Sequence, residues 1–171
     1  MSVVLETPRL VLRHLEESDA EFVHALVNDP AWLQFIGDKG VRTLDDARAY
    51  LRNGPMAMYA QYGHGLYCVE SKADGKAIGM CGLIKRDTLP DVDLGYAFLP
   101  HARGGGLAGE AASATLAYAR GTLGKPCVFA IVSPENARSI ALLEKLGFRF
   151  EKSLRLPPKD DRDTLLYAAQ A

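Results

Sequence analysis

Apolar residues change their period several times along this chain, and each change marks an element. Residues 8–15, PRLVLRHL, alternate at period two, with Leu10, Leu12 and His14 on one face and Val11, Arg13 and Leu15 on the other, as a strand requires. Ser18-Asp19-Ala20-Glu21 has the spacing of a capping box and predicts a helix to about Asn28, stopped by Asp29-Pro30. Thr43 before Leu44-Asp45-Asp46 predicts a second helix to about Asn53, stopped by Gly54-Pro55. Residues 65–71 and 77–85 read as strands, with Asp74-Gly75 between them as a hairpin signal. A strand over 91–99 ends at Pro100, and an alanine-rich helix follows over 107–120. CVFAIVS at 127–133 is apolar on both faces, like a buried central strand. Ser133 as N-cap and Pro134 at the first helical position predict a helix to about Leu146. Gly147 and Phe148 should close it, with Phe148 packed on Leu143. Strands over 148–154 and 163–169 flank a polar loop, PPKDDRD.

The predicted order is β-α-α-β-β-β-α-β-α-β-β, an α/β fold around a mixed sheet. Strand 91–99, helix 107–120 and strand 127–133 form one βαβ unit, expected to be right-handed and parallel. The 171 residues suit a single domain over 1–171, large enough for its own core. With 48% hydrophobic and 24% charged residues, the composition is that of a soluble globular protein. A net charge of −1 without a long cationic block gives no reason to expect a nucleic-acid partner. MSVVLETPRL lacks the profile of a signal peptide and no apolar run approaches a membrane span, so no membrane partner and a cytoplasmic location are expected. Cys68, Cys81 and Cys127 are odd in number and widely spaced, which suits buried free thiols. The four histidines form no metal-ligand pair at helical spacing, and no metal is expected.

RGGGLAGEA, 103–111, carries the candidate chemistry. Gly104-x-Gly106-x-x-Gly109 spells a dinucleotide fingerprint, while Arg103-x-x-Gly106-x-Ala108 spells a different phosphate cradle. Either way, glycines before a helix expose unpaired amides at the positive end of the macrodipole, where an anion binds. A flexible surface turn is the bland alternative. The dinucleotide form wants an acidic residue at the end of the next strand, yet that strand ends at Ser133 and Glu135 follows inside the predicted helix.

Four stretches carry a resemblance: ETPRLVLR at 6–13, KAIGMCGL at 76–83, LGYAFLPHARGGGLAGEA at 94–111 and NARSIALLEKLGF at 136–148. In order and spacing, they resemble the GCN5-related N-acetyltransferases (GNAT), within them the ribosomal-protein alanine acetyltransferase (RimJ/RimL-like) branch. The resemblance implies a mixed, mostly antiparallel sheet with one splayed parallel pair, flanked by helices. It implies acetyl-CoA as donor and a primary amine, in a small molecule or at a peptide N-terminus, as acceptor. The pyrophosphate would lie on the amides of Arg103, Gly104, Gly105, Gly106, Leu107, Ala108 and Gly109. The pantetheine arm would pair along Ala97, Phe98 and Leu99.

The same resemblance gives Asn136 a contact with the pantetheine region and places Ser139 near the thioester sulfur. Many relatives carry a tyrosine acid in this helix; the matching position is Leu143, which leaves Ser139 as its substitute. Asp93 shares a strand face with Gly95 and Ala97, which leaves room for a ligand, and is the candidate base; a solvated strand-end charge is its alternative. Trp32 and Phe35 are candidates for an acceptor cleft or for core, Tyr96 reads as core, and Arg138 and Lys145 suit either outer phosphates or solvent. The acceptor cleft should involve the 30–40 loop, the second helix and the 155–163 loop. The acceptor's identity stays open, a homodimer stays open, and the alternative function is a catalytically silent acyl-CoA-binding or regulatory domain on the same fold.

Overall fold

At the centre of the computed structural model, which describes residues 2–156 and 162–170, lies an eight-stranded sheet. Its strands are β1 (Val3–Glu6), β2 (Leu10–Arg13), β3 (Leu66–Ser71), β4 (Ala77–Ile84), β5 (Asp93–Phe98), β6 (Cys127–Val132), β7 (Arg149–Leu154) and β8 (Thr164–Gln170). Their order in the sheet is β1-β2-β3-β4-β5-β6-β8-β7. Neighbours are antiparallel except β5 and β6, which are parallel as the βαβ pattern requires. Around the sheet run α1 (Ala20–Val27), α2 (Pro30–Phe35), α3 (Leu44–Leu51), α4 (Ala57–Tyr62), α5 (Leu107–Gly121) and α6 (Ala137–Lys145).

The period-two alternation of the strands feeds two cores, one on each face. On one face Leu94 and Phe98 of β5 pack with Val128 of β6 and with Ala111, Ala112 and Leu116 of α5. Small alanines on α5 let that helix lie close to the sheet. On the other face Val23, Leu26, Ala47 and Leu51 of α1 and α3 cover Cys68 and Met80. Asp93, Gly95 and Ala97 alternate with the Leu94, Tyr96 and Phe98 series, so the two sets of candidate groups on β5 leave the strand on opposite faces. Gly82 on β4 is required by packing, since a Cβ there would stand 2.0 Å from the Gly65 carbonyl oxygen.

The helices depart from the pattern at their ends, for local reasons. Asp29-Pro30 ends α1 at Val27 as expected, and it also starts a further helix: Asp29 caps α2, accepting from Ala31 N–H at 3.2 Å, and Pro30 takes the first helical position, where no N–H is needed. Gly54-Pro55 does not stop the second helix. A five-residue π segment, Arg52–Met56, takes Pro55 into wider turns and delivers the chain to α4, which ends at Gly63 with φ +78°. The first capping box lies between Glu16 and Asp19, not Ser18 and Glu21, because Asp19 is drawn inward by a bidentate pair with Arg13 at 2.8 and 2.9 Å. For α6 the cap is Asn136, not Ser133, whose hydroxyl bonds the Glu135 carboxylate. Its other end is as expected: Phe148 N–H reaches the Leu143 carbonyl at 3.0 Å across Gly147, φ +94°. Strand β1 escaped the pattern because only Val3, Val4 and Leu5 carry it. Cys68 and Cys81 are buried, whereas Cys127 is half-exposed at the start of β6. Of PPKDDRD, residues 157–161 lie outside the described residues.

Candidate active site

The glycine loop adopts the geometry an anion needs. Gly104 and Gly106 hold φ of +86° and +80°, a region that disfavours any side chain. Gly106 caps α5, whose first hydrogen bond runs from Glu110 N–H to the Gly106 carbonyl at 3.0 Å. The amides of Leu107, Ala108 and Gly109 precede it and point out of the helix start. Two arginines brace this loop. Arg103 donates to the Phe98 carbonyl at 3.1 Å and to Asp29 at 2.5 Å, so the residue that caps α2 also holds the loop. Arg9 reaches Glu110 at 2.8 Å and the Gly105 carbonyl at 3.0 Å. Burial opposes ionisation of Glu110, but hydrogen bonds from Thr7 and Arg9 outweigh it and hold the carboxyl below its usual range. Thr7 and Arg9 belong to ETPRLVLR, a stretch to which the sequence assigns no task.

Strands β5 and β6 share a single ladder pair, Asp93 with Phe129, made by Phe129 N–H on the Val92 carbonyl at 2.9 Å. Past that pair no ladder joins them among the described residues. A cavity of about 1690 Å³ runs through this opening. Its wall includes Ala97 and Phe98 of β5, then Arg103, Gly104, Gly106, Leu107, Ala108 and Gly109. It also includes Asp93, Asn136, Ser139, Trp32 and Phe35. Leu99 and Gly105 do not line it; Leu99 N–H is bonded to the Ile78 carbonyl at 2.9 Å. Arg155 and Leu156, at the edge of the expected acceptor loop, are part of the wall as well.

Three side chains stand out chemically. Ser139 is half-buried on α6, and its hydroxyl lies 2.7 Å from that of Tyr96 on β5. Burial first, with only partial relief from Ser139, pushes the Tyr96 phenol up to about 12. Tyr96 is therefore no plain core residue: it stands half-buried on the cavity wall with its phenol engaged. Alternation alone placed its ring on the packed face of β5 and gave no sign of this hydrogen bond. Asn136 lines the cavity while its side chain caps α6, accepting from Ser139 N–H at 3.3 Å. Leu143 is 1% exposed and belongs to the core.

Asp93 is also 1% exposed, which removes the solvated strand-end alternative. Its carboxylate accepts from Arg86 Nε at 2.9 Å. Burial raises its pKa above the ordinary carboxylate value, and Arg86 only offsets this. Such a carboxyl is better matched to accepting a proton than a solvated one. Among the described residues no group of three or more His, Cys, Asp or Glu is placed to hold a metal, and no helix is long and apolar enough to cross a membrane.

The fold as a whole is matched in known proteins. Residues 9–149 match the acetyltransferase (GNAT) domain model. The chain belongs to this family, and is by that membership an N-acetyltransferase. It is 27% identical over 156 residues to the uncharacterized N-acetyltransferase YoaA of Bacillus subtilis (strain 168), covering 91% of this chain and 88% of that one. It is similar to an acetyltransferase structure from Agrobacterium tumefaciens str. C58, with TM-score 0.82 and 27% identity over 100% of this chain and 96% of that one. RimL, a ribosomal L7/L12 alpha-N-protein acetyltransferase solved with coenzyme A, shares the fold at TM-score 0.84 and 17% identity, covering 99% and 98%.

Proposed function

We propose that this protein moves the acetyl group of acetyl-CoA to a primary amine by direct attack in a ternary complex. One observation carries the proposal. A single cavity joins the open amides at the start of α5 to the buried carboxylate of Asp93, through the gap between β5 and β6. The residues fit such a co-substrate: the left-handed glycines remove side chains where a pyrophosphate would approach, and the gap in the ladder leaves strand backbone for an amide-bearing arm. RimL is a CoA-binding protein of the same fold, which supports the donor.

When bound, acetyl-CoA supplies the thioester carbon that the amine attacks. The chain's own groups do the rest. Amides of Gly104, Gly106, Leu107, Ala108 and Gly109 hold the pyrophosphate end, and Ala97 and Asn136 orient the arm. Asp93, directly or through water, takes the proton that the ammonium must lose before nitrogen can attack. Ser139 donates to the departing sulfur. Tyr96 donates to the Ser139 oxygen and so aims and strengthens that donor. Trp32 and Phe35 wall the acceptor end. Much of the rate comes from orientation of two reactants in one cavity. The acceptor is a small-molecule or peptide N-terminal amine, and the enzyme works in the cytoplasm as a monomer or homodimer.

The test is release of free thiol from acetyl-CoA with a panel of amines, beside calorimetric binding of acetyl-CoA. Binding with amine-dependent thiol release is the expected result. Binding without release by any amine favours the silent acyl-CoA-binding domain instead, and tight NADH binding would restore the dinucleotide alternative.

A further inference from the structure

The Asp93 end of the cavity has a charge pattern that nothing above uses. Arg86 meets Asp93 through Nε alone, and its two terminal nitrogens have no acceptor among the described residues. Lys39, on the loop after α2, lines the same cavity and has no carboxylate partner among the described residues. The Tyr50 hydroxyl, from α3, is a third cavity-lining donor without an acceptor among them. The three groups line one cavity, and the Arg86 charge acts on both of the others. Lys39 is exposed, at the mouth of the cavity, and is depressed below the ordinary ammonium value by partial loss of hydration first and by the Arg86 charge second. Burial raises the Tyr50 phenol to about 12, and the same Arg86 charge opposes that rise.

The carboxylates that could neutralise these cations are committed elsewhere. Asp38, next to Lys39, is held by Arg42 at 2.6 and 3.0 Å. Asp46 caps α3 and accepts from the backbone N–H groups of Arg42 and Thr43. Asp29 is bound to Arg103. Like charges gathered at a cavity end, with their local counterions engaged, call for an anion from outside. The CoA phosphates are not suited to that task. The six residues of β5, each rising about 3.3 Å, put its Asp93 end on the order of 17 Å from its glycine-loop end.

We propose that the acceptor is a primary amine with a carboxylate a few bonds from its nitrogen, and that Arg86, Lys39 and Tyr50 bind that carboxylate while Asp93 faces the amine. The guanidinium plane makes the pair natural: one edge holds Asp93, and the free edge offers donors to a second carboxylate beside it. The shared chemistry could come from a free α-amino acid or from a peptide whose N-terminal residue is acidic. A polyamine is the wrong acceptor here, because no unpaired carboxylate faces it among the residues named at this end. This inference rests on the acceptor end proposed above and narrows it to one substrate class.

The experiment compares matched pairs in the presence of CoA and then of acetyl-CoA. Alanine is set against alaninamide, a peptide amide beginning Asp-Ala against one beginning Asn-Ala, and spermidine is included. Calorimetry reads binding to the CoA complex, and thiol release reads turnover. Wild type should prefer the carboxylate-bearing member of at least one pair by about tenfold, and which pair responds distinguishes the free amino acid from the peptide. Lys39→Gln should lower that preference several-fold, and Lys39→Glu should lower it further. Preference for the uncharged partners or for spermidine, or a preference untouched by Lys39→Glu, overturns the inference. Carboxylate-dependent binding that responds to Lys39 but is never followed by thiol release would uphold it while refuting acetyl transfer.

Discussion

The hydroxyl of Tyr96 on β5 lies 2.7 Å from the hydroxyl of Ser139 on α6 and couples the sheet to the helix on the cavity wall. With its phenol at about 12, Tyr96 keeps its proton throughout the working range and can donate to the serine oxygen. Ser139→Ala should lower kcat about 10- to 100-fold and leave acetyl-CoA affinity nearly unchanged. Tyr96→Phe should lower kcat less, about 3- to 10-fold, because the donor survives but is aimed less well. The double variant should be no slower than Ser139→Ala alone, since Tyr96 acts through Ser139. Initial rates of thiol release on the four proteins check this; full kcat in Ser139→Ala would leave positioning as the sole contributor.

Asp93 makes a prediction about pH with a definite sign. A base must be ionised, and burial raises this carboxyl, so the acid limb of kcat should fall above the ordinary carboxylate range. Asp93→Asn should lose most activity between that acid limb and the pKa of the acceptor amine, where wild-type Asp93 is ionised and free-base amine is scarce. A wild-type pH profile in that variant would assign the proton to a water chain or another group.

The same shift bears on stability. The folded state holds the Asp93 proton more tightly than the unfolded chain. Its contribution is therefore complete below the unfolded value and is lost as pH rises through the folded one. At neutral pH Asp93→Asn should melt higher than wild type, and the gap should close toward acid. Thermal melts across pH check both the sign and the closing.

The glycine loop separates conformation from contact. Gly106→Val should weaken acetyl-CoA binding about tenfold or more, near 1.4 kcal/mol, because a side chain at φ +80° is strained and stands in the approach to the α5 amides. Gly105→Ala is the control: its Cβ would meet nothing within 4 Å and it lies off the cavity wall. Calorimetry on both, with melting curves to confirm folding, decides whether the loop binds the co-substrate.

Asp29 links the loop to α2. Asp29→Ala removes the α2 cap, costing about 1 kcal/mol, and frees Arg103 from its 2.5 Å anchor. Both the melting temperature and acetyl-CoA affinity should fall. A fall in stability alone would make the pair purely structural.

Strand alternation, the hairpin glycine, the α5 start and the Gly147 ending were legible because each depends on neighbours in sequence. Asp29-Pro30 gave the stop of α1 but not the start of α2, and Gly54-Pro55 misled outright, because proline can end a helix, open one or ride in wider turns, and only tertiary packing chooses between these. The loop's residues could be named from RGGGLAGEA. Its braces could not: Arg9 to Glu110 and Asp29 to Arg103 span 101 and 74 residues. The Tyr96–Ser139 hydrogen bond spans 43 and leaves no periodic trace. Asp93 lay on the right face in the alternation, but its burial and its Arg86 partner appear only once β5 is enclosed.

The central claim is transfer of acetyl from CoA to nitrogen without an enzyme-bound intermediate. Acetyl-CoA labelled in its acetyl group, incubated with the protein and the amine panel, tests it most directly. The label should appear in an N-acetyl product, one for one with released thiol, and none should remain on the protein. Label that stays in acetyl-CoA with every amine, or that collects covalently on the protein, would contradict the account.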